Sequence, residues 1–198
     1  MQRDRLLRAI AILRNGGVVA YPTDTLYGLA VDPRSTTAVD RLFEIKRRDP
    51  GRAVPLIAAS VEQASEAAVF DQRAQRVAAA FWPGPLAIVL PAREVVRPKI
   101  LASDGSVALR VPAHPVSQAL AAGFGFCLTA TSANLSGEPP TSSPDVVAKT
   151  IGHRIDFLFD GGDSPGGPPS TIVDLRGAAP RLVREGAVAW DRVLRSIE

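Results

Sequence analysis

Apolar residues recur along the chain with two alternating periods. In residues 3–14, Leu6, Leu7, Ile10 and Leu13 share one helical face with arginines largely opposite, and Gly16-Gly17 ends the helix. Val18 to Tyr21 is a short apolar strand. Ser35 caps a helix with Val39, Leu42 and Phe43 on one side, Ser60 starts a short helix, and Asp71 starts another that reaches Phe81 through Val77. Apolar runs predict strands at Val54 to Ala59, Leu86 to Leu90, Val107 to Val111, Phe126 to Ala130, Phe157 to Phe159, Thr171 to Leu175 and Arg181 to Arg184. Pro115 opens a helix over Val116 to Ala121, Ser143-Pro144-Asp145 opens one that ends at Gly152, and a last helix begins near Trp190.

The strand runs are continuously apolar rather than alternating, as in a sheet covered by helices. Mixed strands and helices without internal repeats predict one α/β domain over residues 1–198, because the Pro/Gly stretch 161–169 is too short to divide two domains. The chain is 46% hydrophobic and 22% charged with 17 Pro and 16 Gly, which excludes a coiled coil, a disordered acidic tail and a bundle of long helices. Arg8 and Arg14 break the only apolar stretch near the N-terminus, so no signal peptide is expected. No apolar run reaches the roughly 18 residues of a membrane span. A lone Cys127 in an apolar run reads as core filler. These features predict a soluble cytoplasmic protein that does not engage a membrane.

Polar residues gather where strands end, the place where ligands collect in such folds. Lys46, Arg47, Arg48 and Arg52 form a basic cluster after a helix, suited to phosphate oxygens but equally to a solvated carbonyl pole. Residues 129–137 offer four hydroxyls, one amide and a glycine after a strand, which fits anion binding or a self-bonded loop. Asp24, within Pro22 to Gly28, fits a substrate ammonium, a tie to a lysine or a turn cap. Arg110 fits a carboxylate clamp or a salt-bridged support, and His114 reads as a helix cap or packing residue. Gly161 to Gly167 reads as a flexible or lid-like loop. Neither G-x-x-x-x-G-K-[ST] nor G-x-G-x-x-G occurs, so a nucleotide site would need another construction. The net charge of +3 permits a polyanion without announcing one.

These segments together resemble the YrdC/Sua5 family, whose members make threonylcarbamoyl-AMP for the t6A modification of transfer RNA. The blocks are P-T-D-T-L-Y-G-L at 22–29, K-R-R at 46–48, W-P-G-P-L at 82–86, R-V-P-A-H at 110–114, T-S-A-N-L-S-G at 131–137, S-T-I-V-D at 170–174 and R-E-G at 184–186. The resemblance spans roughly residues 5–190. It implies an open twisted mixed sheet surrounded by helices, with a deep positively charged cavity. The implied reaction joins L-threonine, bicarbonate or CO2, and ATP with Mg2+, releasing pyrophosphate.

By that resemblance Lys46 and Arg48 carry the chemistry and, with Arg52, hold the triphosphate. Ser132, Asn134 and Arg184 complete the ATP side, with Ser106 and Pro140 adding to it. Thr25, Arg110 and Ser170 hold threonine, with Ile57 and Ala130 contributing, while Thr23 and Tyr27 shape the pocket. No protein ligand to a metal is implied. The short chain resembles single-domain members, without the added C-terminal domain of longer Sua5 proteins, that work beside separate threonylcarbamoyl transfer proteins acting on tRNA. The alternative is a double-stranded RNA or tRNA-binding module or a ribosome-associated factor, without adenylate synthesis; the carbamoyltransferases of hydrogenase maturation contain a similar domain in much longer chains.

Overall fold

The computed structural model describes residues 2–49 and 51–197; Pro50, inside the basic segment, lies outside them, as do Met1 and Glu198 of the expected 1–198 domain. Helix α1 (Gln2–Arg14) buries Ala9, Ile10 and Leu13. It closes where Gly16, at φ 77°, turns the Gly16 and Gly17 amides onto the Leu13 and Ile12 carbonyls at 3.0 and 2.9 Å. The chain continues through β1 (Val19–Tyr21), β2 (Gly28–Ala30), α2 (Thr36–Lys46), β3 (Leu56–Ile57), α3 (Val61–Ser65), α4 (Gln72–Phe81), β4 (Leu86–Pro91) and β5 (Ser106–Arg110). It then forms α5 (Pro115–Phe124), β6 (Leu128–Thr129), β7 (Thr131–Ser132), α6 (Pro144–Ile151), β8 (Phe157–Leu158), β9 (Thr171–Asp174), β10 (Arg181–Arg184) and α7 (Trp190–Arg195).

The helix starts follow their capping chemistry. Ser35, Ser60 and Asp71 accept from the amides of Ala38, Gln63 and Ala74, and His114 Nδ1 accepts from Val116 at 3.2 Å ahead of Pro115. Ser143 departs from expectation: it precedes α6 without a side-chain cap bond, and Pro144 supplies the start. Strands β2 and β7 fall in segments read only as polar loops. Three and two residues long, they are extended by pairing with neighbours rather than by their own composition. Cys127 is buried, with its thiol pushed up to about 12 by burial, in keeping with core filler.

The expected single open sheet is divided into two hydrogen-bonded ladders. One has the order β7-β2-β1-β8, the other β10-β9-β4-β5-β3-β6, and both mix parallel with antiparallel pairs. Thr129 joins them. It belongs to β6 of the second ladder, yet its amide donates to Val31 O at 3.2 Å and its hydroxyl donates to Leu29 O at 3.2 Å. The same hydroxyl accepts from Val31 N at 2.9 Å, and the Thr129 carbonyl accepts from Tyr21 Oη at 3.3 Å. Ala130 alone then carries the chain into β7 of the first ladder. Among the described residues, no helix is long and apolar enough to cross a membrane.

An ion network braces the far edge of the second ladder. Asp174 accepts from Arg176 through both oxygens and from Arg181 at 2.9 Å, while Arg176 also reaches Asp104 at 2.7 Å. The Arg176 hydrogen bonds hold the Asp174 carboxyl well below the usual carboxylate range.

Two outcomes follow from these joints. Thr129→Val keeps the shape but leaves the Val31 amide unpaired, so it is expected to lower unfolding free energy by about 1–3 kcal/mol in denaturant titration. The native carboxyl of Asp174 ionises at lower pH than in the unfolded chain. Its contribution is therefore complete above about pH 4 and is lost as pH falls toward the native value. Asp174→Asn is expected to be less stable at neutral pH, with the gap to the parent narrowing below about pH 4 in thermal melts.

Candidate active site

A cavity of about 460 Å³ opens between the ladders. The first ladder contributes Tyr21, Gly28, Thr131 and Ser132, and the second contributes Leu56, Ile57, Ala87, Arg110 and Ile172. Loops add Thr23, Thr25, Tyr27, Arg48, Ala130, Pro140, Pro169 and Ser170, and the end of β10 adds Arg184. Among the described residues the wall therefore carries three guanidinium groups and several hydroxyls but no carboxylate. Such a donor-rich wall suits an anionic ligand.

Arg110 ends β5 beside Ile57 of β3 and is nearly buried. Its Nε donates to Gly84 O at 2.9 Å, and its Nη2 pairs with Asp24 Oδ1. The other Asp24 oxygen accepts from Ala113 N at 3.2 Å. This resolves the open reading of Asp24: it supports Arg110. The W-P-G-P segment gains a role as well, because the Gly84 amide bonds Val111 O at 2.8 Å while its carbonyl braces Arg110.

The basic cluster divides on folding. Helix α2 ends in a turn that puts non-glycine Arg47 at φ 49°, a left-handed conformation costing about 1–2 kcal/mol. The Arg47 and Arg48 amides return to Glu44 and Phe43 carbonyls, which closes the helix sharply. Lys46 turns inward and is buried, donating to Ser132 O at 2.5 Å, Asn134 O at 2.7 Å and Asn134 Oδ1 at 3.4 Å. Burial, then the nearby Arg48 charge, lowers its pKa to about 8. At neutral pH it remains mostly an ammonium with a donor for each acceptor. Arg48 lines the cavity while its side chain bonds the Arg52 and Ala53 carbonyls at 3.2 and 2.7 Å. Arg52 is exposed and outside the lining.

Arg184 reaches the cavity through a bulge. Leu182 pairs with Val173, but the register then shifts so that Arg184, not Val183, lies opposite cavity-lining Ile172. Its guanidinium donates to Ser170 O at 2.6 Å and Ser170 Oγ at 3.1 Å. Gly186 permits this approach: a Cβ there would meet Ser170 C and Thr171 N at 2.7 Å. Burial, then the charge of Arg110, lowers the pKa of Arg184; burial, then Arg52, lowers that of Arg48. Crowded cations of this kind favour a bound anion.

The 161–167 loop is held by the opening motif. Tyr27 Oη donates to Gly162 O at 2.8 Å and accepts from Gly161 N at 3.2 Å, while Gly166 N reaches Thr25 O at 3.0 Å. Burial raises the Tyr27 pKa, so its hydroxyl stays a donor.

The structure therefore brings Thr25, Arg48, Ile57, Arg110, Ala130, Ser132, Pro140, Ser170 and Arg184 to one cavity. The Ala130 amide is engaged by Pro55 O at 2.8 Å. Three expected ATP contacts, besides exposed Arg52, do not line it. Lys46 is tied to the 132–134 turn. Asn134 is buried, with its amide nitrogen donating to Leu135 O at 3.0 Å and Glu138 O at 2.5 Å. Ser106 starts β5, at the opposite end from Arg110, and its hydroxyl donates to Asp104 at 2.6 Å. The sequence reading also missed wall residues such as Ala87 and Ile172, which look like ordinary strand core. Among the described residues no group of three His, Cys, Asp or Glu side chains could hold a metal ion. With no carboxylate on the wall, the donors do not fit a resident magnesium site.

A family model for Sua5, YciO and YrdC proteins, described as telomere recombination, matches residues 11–186. The chain is 36% identical over 190 residues to the threonylcarbamoyl-AMP synthase of Pyrococcus abyssi, covering 96% of this chain but 56% of that protein. It is 40% identical over 173 residues to the corresponding synthase of Xanthomonas euvesicatoria, covering 85% of this chain and 92% of that one. A crystal structure of P. abyssi Sua5 complexed with L-threonine superposes with a TM-score of 0.93 at 35% identity, covering 100% of this chain and 58% of the other.

The three bonds of buried Lys46 make it part of the fold as well as of the basic segment. Lys46→Met is expected to lower unfolding free energy by about 2–4 kcal/mol, measured in urea, because buried acceptors at 132 and 134 lose their donor.

Proposed function

The chain belongs to the Sua5, YciO and YrdC family, and from that membership we propose that it is an L-threonylcarbamoyladenylate synthase using L-threonine, bicarbonate or CO2, and ATP. Membership supports adenylate-forming, nucleotidyl-transferring chemistry of this class. The observation that carries the specific reading is the convergence of Arg48, Arg110 and Arg184 with Thr25, Ser132 and Ser170 on one carboxylate-free cavity. A nucleotide triphosphate and an amino-acid carboxylate both need such donors.

In this reading Arg110, Thr25 and Ser170 face threonine, with Arg110 toward its carboxylate. Arg48, Arg184 and Ser132 face the nucleotide. Threonine nitrogen attacks the carbon of bicarbonate and water leaves, giving a carbamate; a carbamate oxygen then attacks the α-phosphorus and pyrophosphate departs. An amine and a carbamate are already nucleophiles, so alignment and neutralisation of oxygen charge are the protein's main tasks. Lys46 serves by holding the Ser132–Asn134 turn. A divalent ion would enter as the magnesium salt of ATP, a substrate carried on phosphate oxygens. The product would pass, in the cytoplasm, to separate proteins that transfer the threonylcarbamoyl group to tRNA.

Arg48→Ala and Arg184→Ala are each expected to cut pyrophosphate release about 100-fold or more, with melting temperature little changed. Near-parental release, dependent on threonine and bicarbonate, from both variants would overturn the assignment. Mass detection of the adenylate formed with each amino acid tests the substrate: a product with another amino acid but not threonine would refute it. Salt-sensitive RNA retention without ATP turnover would favour an RNA-binding module instead.

A further inference from the structure

Arginine presents five N–H donors in a rigid fork. At Arg110, Nε is taken by Gly84 O and Nη2 by Asp24, while no hydrogen bond within the described residues engages Nη1. Asp24 itself is fixed at both oxygens, one on Arg110 and one on the Ala113 amide, and is nearly as buried as the arginine it holds. A carboxylate anchored twice is poorly suited to being displaced by an incoming ligand. It is better placed to set the plane and rotation of the guanidinium.

The two partners of Asp24 come from opposite sides of the same turn. Arg110 ends β5, Ala113 precedes the His114 cap of α5, and Asp24 lies in the loop between β1 and β2. This loop carries Thr25, a wall residue of the cavity. One side chain thus locks Arg110 to the loop that presents Thr25.

We propose that Asp24 is a positioning residue that fixes Arg110 with its Nη1 side directed to the ligand carboxylate, and so sets the preference for a substrate bearing that group. The inference rests on the reading of Arg110 as the carboxylate partner of threonine. It predicts that removing the Asp24 charge weakens carboxylate recognition specifically, although the lost negative charge would by simple Coulomb attraction strengthen it.

The test compares calorimetric binding of L-threonine and L-threoninamide to the full chain and to Asp24→Asn and Asp24→Glu variants. The parent is expected to bind threonine at least about tenfold more tightly than the amide, as suits a charge-assisted bond. In Asp24→Asn, threonine binding is expected to weaken about tenfold while the amide changes less than about twofold, collapsing the discrimination. Asp24→Glu, which keeps the charge one methylene away, should restore part of it, and provides the readout should Asp24→Asn not fold. Equal weakening of both ligands, unchanged discrimination, or tighter threonine binding in Asp24→Asn would overturn the proposal. A parent that binds both ligands alike would instead refute Arg110 as the carboxylate partner.

Discussion

The site depends on a joint at one buried threonine. Thr129 lies in register with Leu56 in the second ladder, yet its amide, hydroxyl and carbonyl engage Leu29 and Tyr21 of the first and Val31 just past β2. A buried hydroxyl that both donates and accepts fixes distance and orientation together, since neither bond can lengthen without leaving a polar group unpaired. One residue later the chain has crossed between ladders. The Thr131–Asn134 hydroxyl and amide groups therefore stand beside strands from both. The cavity is the space this joint holds open.

Cations then occupy that space in an arrangement that folding alone would not favour. Burial, then the charge of Arg110, lowers the pKa of Arg184, and burial, then the charge of Arg52, lowers that of Arg48. Carbonyl groups satisfy part of the guanidinium hydrogen-bonding capacity at Arg48, Arg110 and Arg184, and Asp24 balances only Arg110. Guanidinium charges left without a carboxylate partner, at Arg48 and Arg184, suit an anionic ligand. The left-handed turn at Arg47 belongs to the same economy of shape, since it closes α2 with Lys46 pointing inward and Arg48 at the cavity wall.

Much of the scaffold was legible because capping and apolar runs act locally. The starts of α2, α3, α4 and α5 lie where Ser35, Ser60, Asp71 and Pro115 indicate, and Gly16 ends α1. Strands β2 and β7 were not legible, because their extended form comes from pairing partners distant in sequence. The ordered motifs identified the family and the segments that meet. They did not separate wall from support: Lys46 and Asn134 stand beside wall residues in sequence but are consumed by internal hydrogen bonds.

By itself the sequence determined an α/β class, most helix starts, an apolar Cys127 and the set of polar segments at strand ends, since each depends on neighbours in the chain. Only the tertiary structure decided which charges face the cavity. A one-residue bulge substitutes Arg184 for Val183 opposite Ile172. A twice-bonded carboxylate makes Asp24 the brace of Arg110, and the strand direction of β5 carries Ser106 away from it. Side-chain direction in a paired strand alternates with every residue, so register, a property of two strands rather than one, sets the chemistry of the site.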